Sequence, residues 1–420
     1  MRRPAVRVAL AIAAAGLGAL LLACSARASC STTRVTSLPA LASEVAAGRS
    51  ACLGDGSYTG SVDLSNPSYQ RAVVTQEGAA VIHGQLRLNS SHIELNGLVV
   101  DNAAGTGIGA DCVRIQVVGG TDLRIVNSNL GACARDAIRM AYNLGRHDTA
   151  VRIQGNTIHD AGWNACTCYM SGGRFADNLV QHTGNDALEL WGDSNVVRHN
   201  VFRALDGADG NHDDVLQTWQ IPSDPATGDP LTNLTFERNI VDTVTGPNSH
   251  ALMVQGGAVN HGLTIRSNLF RDVGSIGILL DGAKEVKVET NTFVRAGAMD
   301  TVEWKAGATG TIDSNIFYAA TSAGSQPWYQ DATSSPTHVY NLAWGGTPRL
   351  DEPSGLNDDP RFYDPDGTLD ADRDNDFRIL DPGSPAVDRG NPAITSRIDI
   401  LGRWIFNFRV DQGAFEYAPG

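Results

Sequence analysis

Short apolar segments alternate with polar residues along most of this chain, and one motif recurs through its centre. In each copy a hydrophobic residue is followed three positions later by asparagine, as in Ile153 and Asn156. The seven asparagines are Asn156, Asn178, Asn200, Asn239, Asn268, Asn291 and Asn315. The steps between them are 22, 22, 39, 29, 23 and 24 residues. Helical-hairpin repeats need about 33 residues or more per unit, so the pattern indicates stacked turns of short strands.

The repeat predicts an all-β fold, a right-handed parallel β-helix, over residues 59–320. Each turn would contain three short strands separated by bends. Asparagine suits a fixed bend because it tolerates left-handed backbone, and turns about 4.8 Å apart let the amides form a hydrogen-bonded ladder. This stretch resembles the right-handed parallel β-helix repeat proteins of the pectate-lyase-like superfamily.

The two ends of the repeat have different compositions. Residues 24–58 form an N-terminal segment in which Ser37 and Gly48 fit the two ends of a short capping helix. Residues 321–420 lose the period and become rich in Asp, Pro and Gly. They resemble the segment that closes many secreted bacterial β-helix proteins, so we expect an irregular C-terminal cap.

A second strand recurs between the asparagine bends, and its copies align into columns. The copies begin at Asp111, Asp136, Asn164, Asp186, Asp214, His250, Ile276 and Asp300. Strand alternation directs the third and fifth residues inward and the fourth and sixth outward. The sixth column contains Tyr169, Trp191 and Trp219, which either stack on sugars or form a structural stack over loop backbone. The fourth column contains Arg114, Arg139, Glu189, Gln217 and Glu303.

The densest group of chemically active residues spans three of these strands. We expect catalytic roles for Asp186, Asp213, Asp214, His250 and Glu189. His212, Gln217, Arg139 and Lys305 join the three aromatic residues as candidate substrate contacts. Carboxylates on neighbouring turns raise one another's pKa, which suits one of them to hold a proton during glycosidic cleavage. The same oxygens could instead bind Ca²⁺.

Three of these segments are similar to the polygalacturonase-type glycoside hydrolases. Asn185-Asp186, Asp213-Asp214 and Ser249-His250-Ala251 match that family's successive motifs, although the glycines flanking its histidine are absent here. The resemblance implies that the aspartates act as acid and base with support from His250, and such a hydrolase needs no cofactor. A corner-turn role for the aspartates remains open.

Three other functions also remain open. A Ca²⁺-dependent polysaccharide lyase would use Arg114, Arg139 or Lys305 as its base, and a uronate epimerase uses the same fold. The third is a non-catalytic, surface-anchored glycan-binding protein. The leading interpretation is an exported enzyme that cleaves a polysaccharide along one face, with hydrolysis favoured.

The amino-acid composition and the net charge argue against some classes of function. The 420 residues are 42% hydrophobic with a formal net charge of -14. Enough apolar surface is present to fold. The negative charge argues against nucleic-acid binding and makes a polyanionic substrate less favoured. We expect a monomer.

The N-terminus has the pattern of an export signal. Three arginines precede an apolar stretch, and Leu21-Leu22-Ala23-Cys24 resembles a bacterial lipobox. Residues 1–23 would be removed and Cys24 lipidated, which anchors the protein to a bacterial membrane or the cell surface. Cleavage after Ala28 is the alternative and would give a periplasmic or secreted protein.

Export makes disulfides plausible. We expect the pairs Cys30–Cys52 and Cys112–Cys133, whereas Cys166 and Cys168 are interpreted as small buried hydrophobic residues. A structural Ca²⁺ is also possible at Asp370, Asp372, Asp374, Asp376 and Asp381, whose spacing imitates an EF-hand loop.

Overall fold

The protein is a parallel β-solenoid of about 11 turns, seen in a computed structural model. The structure describes residues 32–142, 146–205, 212–219, 230–246, 248–256, 259–320, 326–352, 354–364, 376–394, 398–403 and 409–417. The predicted export signal and Cys24 lie outside these residues. No helix within the described ranges is long and apolar enough to cross a membrane.

Three long parallel sheets form the walls, and each turn contributes one strand to each sheet. Sheet A consists of Thr33–Val35, Ala51–Leu53, Ala72–Gln76, Ile93–Asn96, Leu123–Val126, Arg152–Gln154, Arg174–Ala176, Val196–Arg198, Thr235–Glu237, Thr264–Arg266, Val286–Glu289, Thr309–Asp313 and Ser335–Val339. Sheet B consists of Ser57–Thr59, Val81–His83, Val99–Asn102, Asn129–Cys133, Thr157–Ala161, Leu179–Thr183, Val201–Leu205, Ile240–Val244, Leu269–Val273, Thr292–Ala296, Ile316–Tyr318 and Leu342–Trp344.

Sheet C contains the strands in which the sequence predicts columns. Its main path consists of Val62–Leu64, Leu86–Leu88, Val113–Ile115, Ile138–Met140, Cys166–Ser171, Leu188–Asp193, Leu216–Thr218, His250–Val254, Ile276–Asp281, Asp300–Lys305 and Trp328–Gln330. Two short strands, Asp148–Thr149 and Leu231–Thr232, pair beside it. The strand pairing aligns Leu188 with Leu216, Leu216 with Leu252 and so on, which confirms the predicted columns.

The predicted asparagine ladder is present between sheets A and B. Each side-chain carbonyl accepts the backbone N–H and the side-chain N–H of the preceding ladder asparagine, as Asn239 does from Asn200 at 3.0 Å each. The ladder continues to Asn341, beyond the predicted seven. The left-handed residue is the one before each asparagine, for example His199 (φ 53) and Arg238 (φ 55). Asparagine is therefore selected for its amide and not for its backbone.

The interior is apolar and also stacked. The rings of Phe175, Phe202, Phe236, Phe270, Phe293 and Phe317 follow one another at centroid distances of 4.9–6.3 Å. All six side chains are fully buried. The inward side chains of successive turns thus form continuous apolar columns, and their burial stabilises the solenoid.

The structure contains the predicted N-terminal helix, α1, at Leu38–Ala46. The Ser37 side chain accepts the N–H of Ala40, and Gly48 has a φ of +74° just beyond the helix. Its buried face, Leu38, Leu41 and Val45, packs against the first strands of sheets A and C.

The described part of residues 362–417, here the C-terminal segment, packs laterally against the solenoid. It includes one antiparallel pair, Phe362–Asp364 with Asp376–Ile379. Its apolar side chains form a cluster with outward residues of sheet B, among them Val294 and Ile316. The N–H of Ala414 donates to Thr292 Oγ1 at 2.9 Å. The segment therefore covers the outside of several turns, and its predicted role as a cap stays a prediction.

The disulfides match the sequence only in part. Cys112 and Cys133 are bonded as expected. Cys52 is disulfide-bonded, and its expected partner Cys30 lies outside the described residues. The interpretation of Cys166 and Cys168 as free side chains is wrong, because they are joined to each other. Residues two apart on a strand face the same side, and their Cα atoms, 5.5 Å apart, fall within disulfide range.

The Asn239→Ala variant tests the ladder. It removes the acceptor for two N–H groups of Asn200 and the donor to the Val197 carbonyl, so buried polar groups are left unpaired. We expect the free energy of unfolding to fall by about 3 kcal/mol, measured by urea denaturation. The control Asn129→Ala, on an exposed outward position, should change it by about 0.5 kcal/mol or less. Equal losses in the two variants would contradict the ladder's role.

Candidate functional site

A second ladder of polar side chains runs along the corner that precedes sheet C. Asn164 Oδ1 accepts the N–H of Asp186 at 3.1 Å, and Asp186 Oδ1 accepts the N–H of Asp214 at 2.9 Å. Asp214 Oδ1 accepts the N–H of His250 at 2.8 Å. The corner-turn role that the sequence left open is therefore real. It does not explain why carboxylates replace amides here, since Asn164 fills the same role without a buried charge.

Asp214 is the centre of the group of side chains that the structure brings together. Its two oxygens accept from the Nδ1 atoms of two histidines, Oδ2 from His212 at 3.1 Å and Oδ1 from His250 at 2.8 Å. Asp214 is fully buried and His250 nearly so, whereas the His212 side chain is 40% exposed. His212 is thus the member of this group that can meet a substrate.

The two neighbouring aspartates have opposite protonation preferences. Burial, together with the charge of Asp214, raises the pKa of Asp186 well above its usual range. Burial also raises the pKa of Asp214, but hydrogen bonds from His212 and His250 outweigh it, and the net pKa is lowered. The hydrogen bond to Asp214 raises the pKa of His212. Paired groups with separated pKa values are typical of acid–base sites.

Asp186, His212 and Asp214 could also hold a metal ion, because one donor atom from each lies within 4.8 Å of the others. One imidazole nitrogen and two carboxylates do not suit Ca²⁺, which takes six to eight oxygens. His212 Nδ1 and both Asp214 oxygens already bond one another or His250. Among the described residues, Asp186 Oδ2 is buried without a hydrogen bond. An ion bound through His212 Nδ1 would replace the His212–Asp214 hydrogen bond.

Of the other predicted catalytic residues, Asp213 is buried and Glu189 is partly exposed. Asp213 is 1% exposed, and its N–H donates to Ser249 Oγ at 3.1 Å. Glu189 lies in the outward fourth column and accepts from Thr167 Oγ1 at 3.4 Å. Burial, followed by the charge of Asp136, raises the pKa of Glu189. The catalytic assignment of these residues stays a prediction.

The predicted aromatic surface is wrong for two of its three members. Tyr169 is 7% exposed and Trp191 1%, and their rings stack on each other at 4.6 Å. Tyr142 packs on Tyr169, and Trp191 Nε1 donates to the Trp219 carbonyl at 3.1 Å. Loop segments beside sheet C cover these rings, as the alternative of a structural stack requires. Trp219 alone is partly exposed.

The charged and amide side chains that were expected to contact substrate do not lie together in the structure. Arg139 lies two turns before Asp186 and pairs with Asp136 at 2.7 Å. Lys305 lies at the end of the strand Asp300–Lys305 and pairs with Glu303. Gln217 is 8% exposed and donates to Met253 Sδ at 3.6 Å. Arg139 and Lys305 therefore do not meet the Asp214 group.

Most of the candidate Ca²⁺ loop lies outside the described residues, namely Asp370, Asp372, Asp374 and the side chain of Asp376. Asp381 pairs with Arg361 at 2.9 Å. Sequence reasoning also missed Ser249 and Thr167 as hydrogen-bonding neighbours, which sit at regular positions beside the predicted columns.

Comparison with known proteins gives structural matches only. No protein-family model and no curated protein sequence matches the chain. The A-module of the Azotobacter vinelandii mannuronan C-5 epimerase AlgE6 superposes with a TM-score of 0.52 and 13% identity, over 79% of this chain and 97% of that one. For the AlgE4 A-module the values are 0.50, 15%, 80% and 99%. The pectate lyase Pel9A gives 0.48 and 12% over 92% and 97%. The two epimerase modules share the parallel β-helix fold with this chain.

The Asp186→Asn variant tests the raised pKa. When folding raises the pKa of a carboxyl group, the protein loses stability as the pH rises above the pKa that this group has in the unfolded chain. The reason is that the group ionises more readily in the unfolded chain than in the folded protein. Asparagine keeps the acceptor for the Asp214 N–H and cannot ionise. We expect the variant to gain stability over the unmodified protein progressively as the pH rises above 3.8, the usual pKa of an aspartate, measured by urea denaturation. The exposed control Asp351→Asn should show no such trend. A pH-independent difference for Asp186→Asn would contradict the assignment.

Proposed function

We propose that this protein is a carbohydrate-active enzyme that moves a proton at the carbon beside a uronate carboxylate, as polysaccharide lyases and uronate C5 epimerases do. The observation that carries this proposal is the pair of histidines on one buried carboxylate, with His212 reaching solvent. The predicted export signal would deliver such an enzyme to polysaccharides outside the cytoplasm.

His212 is suited to act as the base. When its imidazole is neutral, Nδ1–H donates to Asp214 Oδ2, which leaves the lone pair of Nε2 free to accept a proton. The carboxylate then stabilises the imidazolium that forms. His250 holds the other oxygen of Asp214 and so fixes the orientation of this carboxylate. Asp186, which retains its proton, adds no second negative charge beside it.

The chemistry balances without an oxidant or a cofactor. The C5–H proton moves to His212 Nε2, and its electron pair is delocalised into the substrate carboxylate. In a lyase that pair then forms the C4–C5 double bond while the C4–O bond breaks, and the departing oxygen takes a proton from the imidazolium. In an epimerase water on the opposite face of the ring donates a proton to C5, and the His212 imidazolium releases its proton to solvent.

Hydrolysis receives less support from the geometry. It needs two carboxyl groups at the scissile bond, one protonated and one ionised. Asp186, Asp213 and Asp214 are each at most 1% exposed, and the side chains of Asp186 and Asp214 accept backbone N–H groups of the corner. The two mannuronan C-5 epimerase modules, which share the fold, are named for an activity on a uronate polymer. The hydrolase remains one outcome of the test below.

The test is incubation of the protein with alginate, polygalacturonate and a neutral polysaccharide in deuterated water, with EDTA or with added Ca²⁺. New reducing ends with ultraviolet absorbance identify a lyase, and C5 deuteration without cleavage identifies an epimerase. Reducing ends without absorbance would identify a hydrolase and contradict the proposal. Binding with no turnover on any uronate polymer would favour the non-catalytic alternative. Turnover that is lost in EDTA and restored by Ca²⁺ would return a calcium site to the mechanism.

His212→Ala tests the assigned base. We expect kcat to fall by about 10²–10⁴-fold in a variant that still folds, because His250 continues to donate to Asp214 and His212 supports no ladder contact. The matched control is His261→Ala, which truncates an exposed histidine elsewhere. It should leave kcat unchanged. Full activity in His212→Ala would remove this residue from the reaction.

A further inference from the structure

Four arginines line the outside of sheet A on consecutive turns. Strand pairing aligns Arg124 with Arg152 and Arg152 with Arg174, so the three side chains form one outward column. Arg198 lies on the next turn, two positions further along its strand. We name these four residues the arginine strip. It lies on a different sheet from the Asp214 group, which precedes sheet C.

The charges of the strip are only partly compensated. Arg124 lies 3.2 Å from Asp122 and 3.8 Å from Glu94. Neither Arg152 nor Arg174 has a hydrogen bond or an ion pair within the described chain. Burial, Arg198 and Arg152 together lower the pKa of Arg174. Arg198 Nε is buried and has no hydrogen-bond partner among the described residues.

Stacking like charges at one turn spacing, about 4.8 Å, is unfavourable unless an anion lies against them. The chain carries a formal net charge of -14, so acidic residues are plentiful, yet none pairs with the two central arginines. The positive column is therefore a local exception to the charge of the protein. Asp177 and Glu237 lie near enough for their charges to offset part of this repulsion, and an anionic ligand would offset more of it.

The strip borders a groove with room for a ligand. A cavity of about 380 Å³ is lined by Arg124, Arg152, Gln154 and Asp177, among others. Arginine presents a planar fork that binds carboxylates through two parallel hydrogen bonds. Two carboxylates, Asp177 and Glu94, also line the cavity, and Gln154 donates to Asp177 at 2.9 Å.

We propose that the arginine strip is a second polysaccharide-binding surface, which holds a polyuronate chain along the solenoid axis. A polyuronate carries one carboxylate on every sugar and the strip carries one guanidinium on every turn, so an extended chain can pair with more than one arginine at once. A nucleic acid fits less well, because its denser phosphates would also meet the acidic surface around the strip. This surface goes beyond the proposed function, and it would bind its ligand even in a protein without catalysis.

Binding to polygalacturonate and alginate, measured by affinity electrophoresis and calorimetry, tests the strip. The test variant is Arg152→Gln with Arg174→Gln, and the matched control is Arg34→Gln with Arg49→Gln. The control removes the same charge from exposed arginines of the N-terminal region. We expect affinity to fall about tenfold or more in the test variant and to stay within about twofold in the control. Added salt should weaken binding by the unmodified protein.

Three results would overturn the proposal: unchanged affinity in the test variant, an equal loss in the control, or equally tight binding of a neutral glycan. Tighter binding of duplex DNA than of polyuronate would also overturn it. Melting temperatures of both variants show whether they fold. All binding is measured in the His212→Ala background as well. If His212→Ala loses turnover but still binds the polymer, the result bears only on the proposed function. If the strip variant loses binding, the result bears only on the arginine strip.

Discussion

Every bend of a parallel solenoid leaves backbone N–H groups that only the neighbouring turn can satisfy, and the whole structure depends on how this chain meets that requirement. Between sheets A and B it uses asparagine, whose carbonyl accepts from one turn while its N–H groups donate to others. The amide has both donors and acceptors and carries no charge. It can therefore be repeated at every turn without an electrostatic cost, and the sheets and phenylalanine columns are held in register around it.

The corner before sheet C meets the same requirement with a different residue type. Asn164 shows that an amide suffices there, yet the next two turns have Asp186 and Asp214. A carboxylate has no donor, and the two aspartates differ in how they accommodate this: burial raises the pKa of Asp186, whereas Asp214 accepts hydrogen bonds from two histidines. The candidate site thus arises where a structural position is filled by a residue that structure alone does not favour. His212 is the point at which this internal arrangement meets solvent.

The structural features that the sequence predicts correctly are those that repeat along the chain or are encoded locally. The asparagine ladder and the columns of sheet C are periodic, and their register is confirmed residue by residue. The helix α1 is encoded locally by Ser37 and Gly48. The burial of Trp191 cannot be predicted from the repeat, because it depends on the strand Leu231–Thr232, which lies outside the repeat, and on the backbone carbonyl of Trp219. The arginine strip was missed for another reason. The net charge is a sum over the whole chain and does not show a local column of arginines. Arg152 and Arg174 directly precede the hydrophobic residue of the motif, and the motif was used only to predict the fold.

The C-terminal segment changes how this solenoid can come apart and assemble. A simple array frays from either end, one turn at a time, because each turn contacts only its neighbours. Here Ala414 bonds Thr292, 122 residues earlier, and Gly413 bonds the Ser314 carbonyl, so several late turns are fastened to one another from outside. Loss of the last turn alone would also detach this strap, which makes the C-terminal half cooperative and leaves the N-terminal half free to unzip. During synthesis or translocation, the late turns would therefore reach their final stability only after the C-terminal segment has emerged and packed against them.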